Sequence, residues 1–241
     1  MDSLSQVGIK ENHAAPQAKK RVFIASEGEQ SELYDIYFLK SILDEKRNHF
    51  IAKDYFDRIA AMFLIILFIP ILLLAALMVK LTSPGPFLFK QLRRGKGGNT
   101  FECYKFRSMK MDSFAASKVN QEEFGMLVKI KDNPRITPVG RFLRKTSIDE
   151  LPQLFNVLKG EMSFVGPRPL LPHHIDPHPQ FRQLRSLVKP GITGIWQVEA
   201  RSNQNTTALS MQSYDLRYIR SFSFWLDLKI LFKTIPAVLT G

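Results

Sequence analysis

Apolar residues are spread unevenly along this chain. From Ile59 to Val79 a run of 21 residues carries no charge (IAAMFLIILFIPILLLAALMV), enough to cross a hydrocarbon core of ~30 Å at ~1.5 Å per residue. A buried helix of a soluble protein seldom sustains such a run, so a membrane-inserted helix is expected. Pro70 lies mid-run, with 11 apolar residues before it and 9 after. Proline withholds a backbone donor and crowds the carbonyl four residues back, here Ile66, so a kink is expected. Lys53 and Arg58 precede the run, and Lys80, Lys90, Arg93, Arg94 and Lys96 follow it. Basic flanks prefer the cytoplasm. A straight span satisfies that preference on one side only, whereas a bent helix entering and leaving one leaflet satisfies it on both. Each arm of roughly 10 residues reaches ~15 Å, half the core. A re-entrant helix over 59–81 is therefore favoured, with a kinked single span as the alternative.

Upstream, Leu33, Ile36, Tyr37, Leu39, Ile42 and Leu43 recur at helical spacing among charged residues. They predict an amphipathic helix within 31–58, lying at the membrane interface or packed on a globular domain. Residues 1–30 are polar and unpatterned, which predicts a mobile tail. No basic stretch followed by an apolar core opens the chain, so a cleaved signal peptide is not expected.

Residues 82–241 read as a single globular domain. Phe87–Leu92 and Thr100–Phe106 flank Gly95-Lys96-Gly97-Gly98-Asn99, the pattern of a β-hairpin. Thr137-Pro138 signals a helix start. In TSIDELPQLFNVLKGE, Ser147 and Glu150 fit the S-x-x-E capping pattern. Leu151, Leu154, Phe155 and Leu158 then share a face, and Gly160 ends the helix. Ser163 to Pro169 cannot be helical and presents Arg168 between two prolines. From Ser210 to Leu239 a helical pattern returns, with Trp225, Leu228, Leu231 and Phe232 on an amphipathic surface. The fold class expected is α+β, mainly helical: a monotopic membrane protein with a Pro-broken re-entrant helix, interfacial amphipathic helices and a small hairpin.

Charge narrows the partners. Lys and Arg total 34 against 22 acidic residues, a net charge of +12, which favours nucleic acid, acidic lipid or phosphate-bearing substrates. Cys103 is the only cysteine, so no intrachain disulfide forms. His173, His174, His178 and Asp176 cluster in PHHIDPHP, but their spacing fits no standard zinc site. Tyr104 and Phe106 among basic residues could imitate a nucleic-acid surface, yet no binding motif accompanies them, and no nucleic-acid partner is expected.

Asp149 and Glu150 stand in the predicted first turn, where the helix dipole favours acidic side chains for structural reasons alone. The same position stabilises a carboxylate anion and attracts phosphate. An ionised Asp can attack phosphorus, and an acyl phosphate splits one transfer into two. A divalent cation would offset the repulsion of carboxylate and pyrophosphate.

The segments KLTSPGPFLFKQLRRG, FECYKFRSMKMD, RITPVGRFLRKTSIDELPQLFNVLKGEMSFVGPRPLLP, VKPGITGIWQV and YDLRYIRSFSFWLDLKIL, in that order, resemble the bacterial sugar transferases, the monotopic phosphoglycosyl transferases acting on undecaprenyl phosphate. The resemblance runs from about Lys53 to Leu239. It implies transfer of a sugar 1-phosphate from a UDP-sugar to undecaprenyl phosphate with release of UMP, at the cytoplasmic face of the bacterial inner membrane. Asp149 matches the nucleophile and Glu150 its partner in the dyad, both candidate Mg²⁺ ligands. Arg144 and Arg168 match phosphate-holding positions, as does Arg201 at the end of the GITG…R stretch with a less specific motif, and Asp215 matches the family's D-L-x-Y-I motif without an assigned role. Independently of the resemblance, Lys105 and Arg107 flank Phe106 and either steer anionic substrate phosphate or lipid headgroups or form a solvated strand face. Ile69 stands where the family often has Ser before the helix-breaking Pro, and Glu199-Ala200 where a small residue and Gly precede the Arg. Longer relatives carry spanning helices and an extra domain ahead of the catalytic part, and this chain resembles the minimal type. An exposed interfacial surface also admits a homodimer. Two other readings compete: a non-catalytic membrane adaptor with a basic lipid- or partner-binding surface, and a membrane-tethered nucleic-acid binder.

Overall fold

The computed structural model describes residues 36–110, 133–200 and 209–239; the predicted mobile tail and Arg201 lie outside them. Helix α1 (Ile36–Glu45) and helix α2 (Arg47–Thr82) are separated only by Lys46, whose Nζ donates to the Phe222 carbonyl at 2.8 Å. The charged residues 47–58 therefore continue directly into the apolar run. At 36 residues, α2 is ~54 Å long, and the chain stays helical on both sides of Pro70. Leu39 of α1 is fully buried against Leu170, Ile175, Phe181, Met211 and Ile219. Of the two positions the sequence allows for this amphipathic helix, its apolar face takes the one against the globular part.

After α2 comes the hairpin of β1 (Leu88–Arg94) and β2 (Thr100–Phe106), paired antiparallel from Leu88↔Phe106 to Arg94↔Thr100. The loop closes through Gly97 and Gly98 at φ 73° and 78°, a conformation that suits glycine. Helix α3 (Pro138–Lys145) starts as predicted: the Thr137 hydroxyl accepts from the Gly140 amide at 2.9 Å. Helix α4 (Gln153–Lys159) ends at Gly160 with φ 80°, as its sequence predicts. Strand β3 (Ser163–Val165) pairs in parallel with β4 (Gly191–Thr193), and the crossover carries α5 (Pro172–Ile175) and α6 (Pro179–Ser186). Helices α7 (Ile195–Glu199), α8 (Gln212–Ser221) and α9 (Phe224–Leu239) complete the described chain.

Two expectations need correction. First, α4 does not begin at Ser147. The Ser147 side chain caps nothing, and Asp149 and Glu150 occupy a separate 3-10 turn, Ile148–Glu150. Pro152 explains this: in a helix capped at Ser147 it would have to supply an amide hydrogen to Ile148, which it lacks. Second, Phe155 and Leu158 are not core residues. Leu154 and Val157 are buried, whereas Phe155 and Leu158 are 40% and 36% exposed. Asn156 is the reason the face rotates. Its amide is fully buried, donating to the Glu102 carbonyl and to Glu161, and accepting from the Tyr104 amide.

Helix α2 touches the globular part along its length. Ala61 packs with Phe101, Cys103, Val157 and Met162, while Ala75 and Val79 pack with Phe106 and Leu143. Near its start, Lys53 pairs with Asp57 at 3.1 Å and with Asp227 of α9 at 2.6 Å, all three buried. Ser163 donates to Asp57, and the Tyr218 hydroxyl donates to Asp227 or to the Val165 carbonyl. Every charge in this cluster has a partner, the condition under which buried ions are tolerated. The other faces of α2, including Ile59, Phe63, Ile66, Leu73 and Leu77, remain exposed. Of the described helices, this one is long and apolar enough to cross a membrane.

Candidate functional site

Between α3 and α4 the chain makes a tight reversal. Ser147 adopts left-handed φ 55°, uncommon for a residue with a side chain and the kind of local strain that collects at functional sites. The 3-10 turn that follows places Asp149 inward, 9% exposed, and Glu150 toward the hairpin. Glu150 accepts from Lys105 of β2 at 2.7 Å. Burial, then the negative charge of Glu150, pushes the Asp149 carboxyl up to about 6, against the pull of Lys105 and Arg144. Arg144, on the last turn of α3, is held by its Nε to the Ser108 hydroxyl at 2.8 Å. Lys105, Arg144, Asp149 and Glu150 are thus one electrostatic group.

Arg168 reaches the same region from the loop after β3. Its guanidinium stands over the Trp196 ring at 5.9 Å, and its own carbonyl accepts from Arg185. Arg93 donates to the Pro169 carbonyl at 3.0 Å, and the Arg94 amide donates to the Leu170 carbonyl at 3.1 Å. Three arginine positions therefore fix the backbone of the Pro167-Arg168-Pro169 loop. Burial, then the like charge of Arg168, brings Arg93 down to about 10. The GITG segment presses against this loop backbone to backbone. A Cβ at Gly191 would fall 2.1 Å from the Gly166 nitrogen, and one at Gly194 would fall 2.2 Å from the Gly166 oxygen. Only glycine permits that approach.

The elements form a solvent-open cleft with a cavity volume of about 190 Å³. Ser147, Glu150, Arg168, Thr193 and Gln197 give it a polar side, while Leu64 and Phe68 of α2 and Ala237 of α9 give it an apolar one. Asp149 belongs to the same 3-10 turn as Glu150 but is not itself part of this lining.

Not every predicted site residue joins the group. Arg107 is buried and donates to the Ser83 and Pro84 carbonyls and the Ser83 hydroxyl. It ties the exit of α2 to the hairpin. Asp215 is buried on α8 and faces Arg185 at 2.8 Å. The contact is one of charge, without hydrogen-bond alignment, and burial pushes the Asp215 carboxyl up to about 6 despite Arg185. Asp215 thus stands behind Arg185, which in turn holds the Arg168 carbonyl. Arg201 lies outside the described residues. Among the described residues no group of three or more His, Cys, Asp or Glu side chains could hold a metal, which includes the histidine cluster. Instead, Asp176 pairs with Arg94 at 2.6 Å. Arg93, Arg185 and Gln197 are the additions the structure makes. Their sequence signals are a charge among charges and a glutamine after GITG, and neither specifies a role.

Residues 48–241 match the family model described as bacterial sugar transferase, and the chain belongs to that family. A UDP-glucose:undecaprenyl-phosphate glucose-1-phosphate transferase of Caulobacter vibrioides is 44% identical over 197 residues, covering 79% of this chain and 70% of that protein. The galactosyl transferase CpsE of Streptococcus agalactiae is 42% identical over 200 residues, covering 81% of this chain and 44% of that protein. The exopolysaccharide production protein ExoY of Sinorhizobium fredii is 37% identical over 195 residues, covering 78% of this chain and 85% of that protein. The chain thus spans less than half the length of some curated relatives and most of the length of others.

Proposed function

We propose that the protein transfers a sugar 1-phosphate from a UDP-sugar to undecaprenyl phosphate, releasing UMP and initiating a surface polysaccharide. The observation that carries this reading is the cleft. It sets Glu150, the chain neighbour of Asp149, and Arg168 at one side and apolar residues of α2 and α9 at the other, which suits a reaction between a water-soluble phosphate ester and a lipid phosphate. The relatives' names point the same way, since they include transferases for glucose 1-phosphate and for galactose phosphate on undecaprenyl phosphate.

In this reading a carboxylate oxygen of Asp149 attacks the β-phosphorus of the UDP-sugar. The bond from that phosphorus to the bridging oxygen breaks, and UMP leaves with the electron pair. An oxygen of undecaprenyl phosphate then attacks the phosphosugar on Asp149, releasing the lipid-linked sugar and restoring the carboxylate. With its carboxyl titrating at about 6, Asp149 is mostly ionised near neutral pH, as a nucleophile must be. Arg168 and Arg144 offer planar guanidinium forks to the phosphate oxygens, and Lys105 holds Glu150 beside the nucleophile. Asp149 and Glu150 are adjacent carboxylates whose mutual repulsion raises Asp149, a donor set that fits a hard cation completed by substrate phosphates. Mg²⁺ bound there would neutralise charge on the pyrophosphate.

The membrane helix we read as re-entrant. Both ends of the apolar run lie against the same globular unit: Lys53 and Asp57 bond to Asp227 and Ser163 before it, and Val79 packs on Leu143 and Phe106 after it. A helix crossing a bilayer would carry those two contacts to opposite sides. Pro70, at the middle, leaves the Ile66 carbonyl without its helical donor and marks where the bend falls. The globular unit and both helix flanks then share the cytoplasmic face, as the basic flanks favour.

UMP release by protein held in nanodiscs, with undecaprenyl phosphate, Mg²⁺ and a panel of UDP-sugars, tests the reaction. Asp149→Asn is expected to lower release by on the order of 10³-fold or more. Release surviving that substitution would rule out the covalent route, and silence of the folded wild-type protein across the panel would favour a non-catalytic membrane adaptor.

A further inference from the structure

Gln197 is 8% exposed and lines the cleft together with Glu150, Arg168, Thr193 and Thr234. Neither its Nε2 nor its Oε1 finds a hydrogen-bond partner among the described residues. Elsewhere this fold satisfies a buried amide completely, as at Asn156, whose side chain has three partners. A buried amide left open at both ends is therefore a feature in need of a cause. The room it occupies is also preserved, because a Cβ at Gly194 would stand 3.0 Å from its Oε1.

Its neighbours narrow what it can meet. The Thr234 hydroxyl donates to the Ile230 carbonyl at 2.8 Å. Having spent its proton, it can only accept from Thr193, 2.7 Å away. The Thr193 oxygen is left as an acceptor. Arg168 answers negative charge, whereas Gln197 offers one donor and one acceptor side by side without charge.

We propose that Gln197 is a donor-recognition residue, its amide pairing with a neutral, adjacent donor–acceptor edge of the UDP-sugar. The proposal rests on reading the cleft as the donor site. Three parts of that molecule carry such an edge: the uracil imide, the ribose 2′,3′-diol and a pair of neighbouring hydroxyls on the transferred sugar. Discrimination of this kind is strong, because a partner lacking the edge leaves a buried polar group unpaired.

The test is calorimetric binding of UDP-glucose, UDP-galactose, UDP-N-acetylgalactosamine and UMP to the full-length protein in nanodiscs, with thermal unfolding in parallel. Gln197→Met keeps the volume and removes both polar atoms. It should leave Tm unchanged or raised, since the free protein loses no hydrogen bond, and weaken the best UDP-sugar by about tenfold or more. UMP affinity weakened to the same degree assigns the nucleoside, uracil or ribose; UMP affinity unchanged assigns the hydroxyls of the transferred sugar. Donor affinity within twofold of wild type overturns the proposal, and so does a fall in Tm, which would make Gln197 a fold-supporting amide. Should Q197M not fold, Gln197→Glu keeps shape and an acceptor but no donor, and wild-type donor affinity there overturns the proposal equally. Donor binding by wild type without UMP release would sink the transfer reaction and leave Gln197 standing, whereas no donor binding at all would sink both.

Discussion

The fold holds the Asp149 carboxyl in a state that costs stability near neutral pH. In the unfolded chain its carboxyl would titrate near 3.8, and in the fold burial and Glu150 bring it to about 6. A folded value above the unfolded one means that the native state prefers the protonated form. The site's stability is then fully present below pH 3.8 and is lost as pH rises through about 6. In the proposed reaction activity runs the other way, because there Asp149 acts as the anion. kcat/KM is expected to fall along a one-proton limb below pH ~6, and Lys105→Met, which removes a charge that pulls the carboxyl down, should move that limb upward. Asp149→Asn should be inactive yet more stable than wild type by on the order of 2 kcal/mol at pH 7.5, the gap closing by pH 4. Thermal unfolding across that range decides it, and a variant less stable than wild type at neutral pH would show the carboxylate to be structural. Residue types at this site were legible from TSIDELP, but the local backbone was not. The S-x-x-E pattern reads as a cap, and Pro152 overrides it. Nor could any local pattern reveal that Arg93 and Arg185 clamp the Arg168 loop, since each contact joins segments remote in sequence.

At the scale of elements, the hairpin, α3 and the end of α4 follow from local signals: a glycine loop between alternating strands, Thr-Pro at a helix start, and Gly160. Helix α2 needs more than its hydropathy. Its charged first turns are pinned by the buried Lys53–Asp57–Asp227 cluster, which the sequence shows only as scattered charges. Breaking a paired buried ion leaves its partner unsatisfied at a cost of about 3–5 kcal/mol. Lys53→Met should therefore destabilise the protein by an amount of that order, because it strands Asp57 and Asp227 together. Adding Asp57→Asn and Asp227→Asn should recover part of the loss. If Lys53→Met alone is neutral in denaturant unfolding, the cluster is not what anchors α2. The re-entrant reading has a separate check: in a Cys103→Ser background, cysteines at Lys46 and Leu81 should both resist an impermeant label applied from outside the cell. Labelling of one position alone would establish a span.

For the whole molecule, the decisive feature is how the apolar surfaces of α2 and α9 join. Phe56 and Phe224 meet edge to face at 5.7 Å, both more than half exposed. From there the exposed side chains of α2 continue on one hand, and Trp225, Phe232 and Ile235 continue on the other. Trp225, Phe232 and Ile235 recur at intervals of seven and three on α9, while Asp227 and Ile230 turn to the buried side. An exposed tryptophan among aromatics and lysines suits the headgroup region, where an amphipathic ring is at home. The inner side of the same helix brings Thr234 and Ala237 to the cleft. If α9 lies in the interface, the cleft opens at headgroup height, where a lipid phosphate resides, and the net charge of +12 adds attraction to anionic lipid. The chain has two tryptophans, and Trp196 stands under Arg168, so each can be isolated by replacing the other with Phe. In vesicles containing lipids brominated near the headgroup, Trp225 fluorescence should be strongly quenched in Trp196→Phe protein. Trp196 fluorescence in Trp225→Phe protein should be quenched far less. Equal quenching of the two would place the cleft in the lipid rather than beside it, and an unquenched Trp225 would leave α2 as the one membrane contact and, in the proposed reaction, require the lipid phosphate to rise out of the bilayer to reach Asp149.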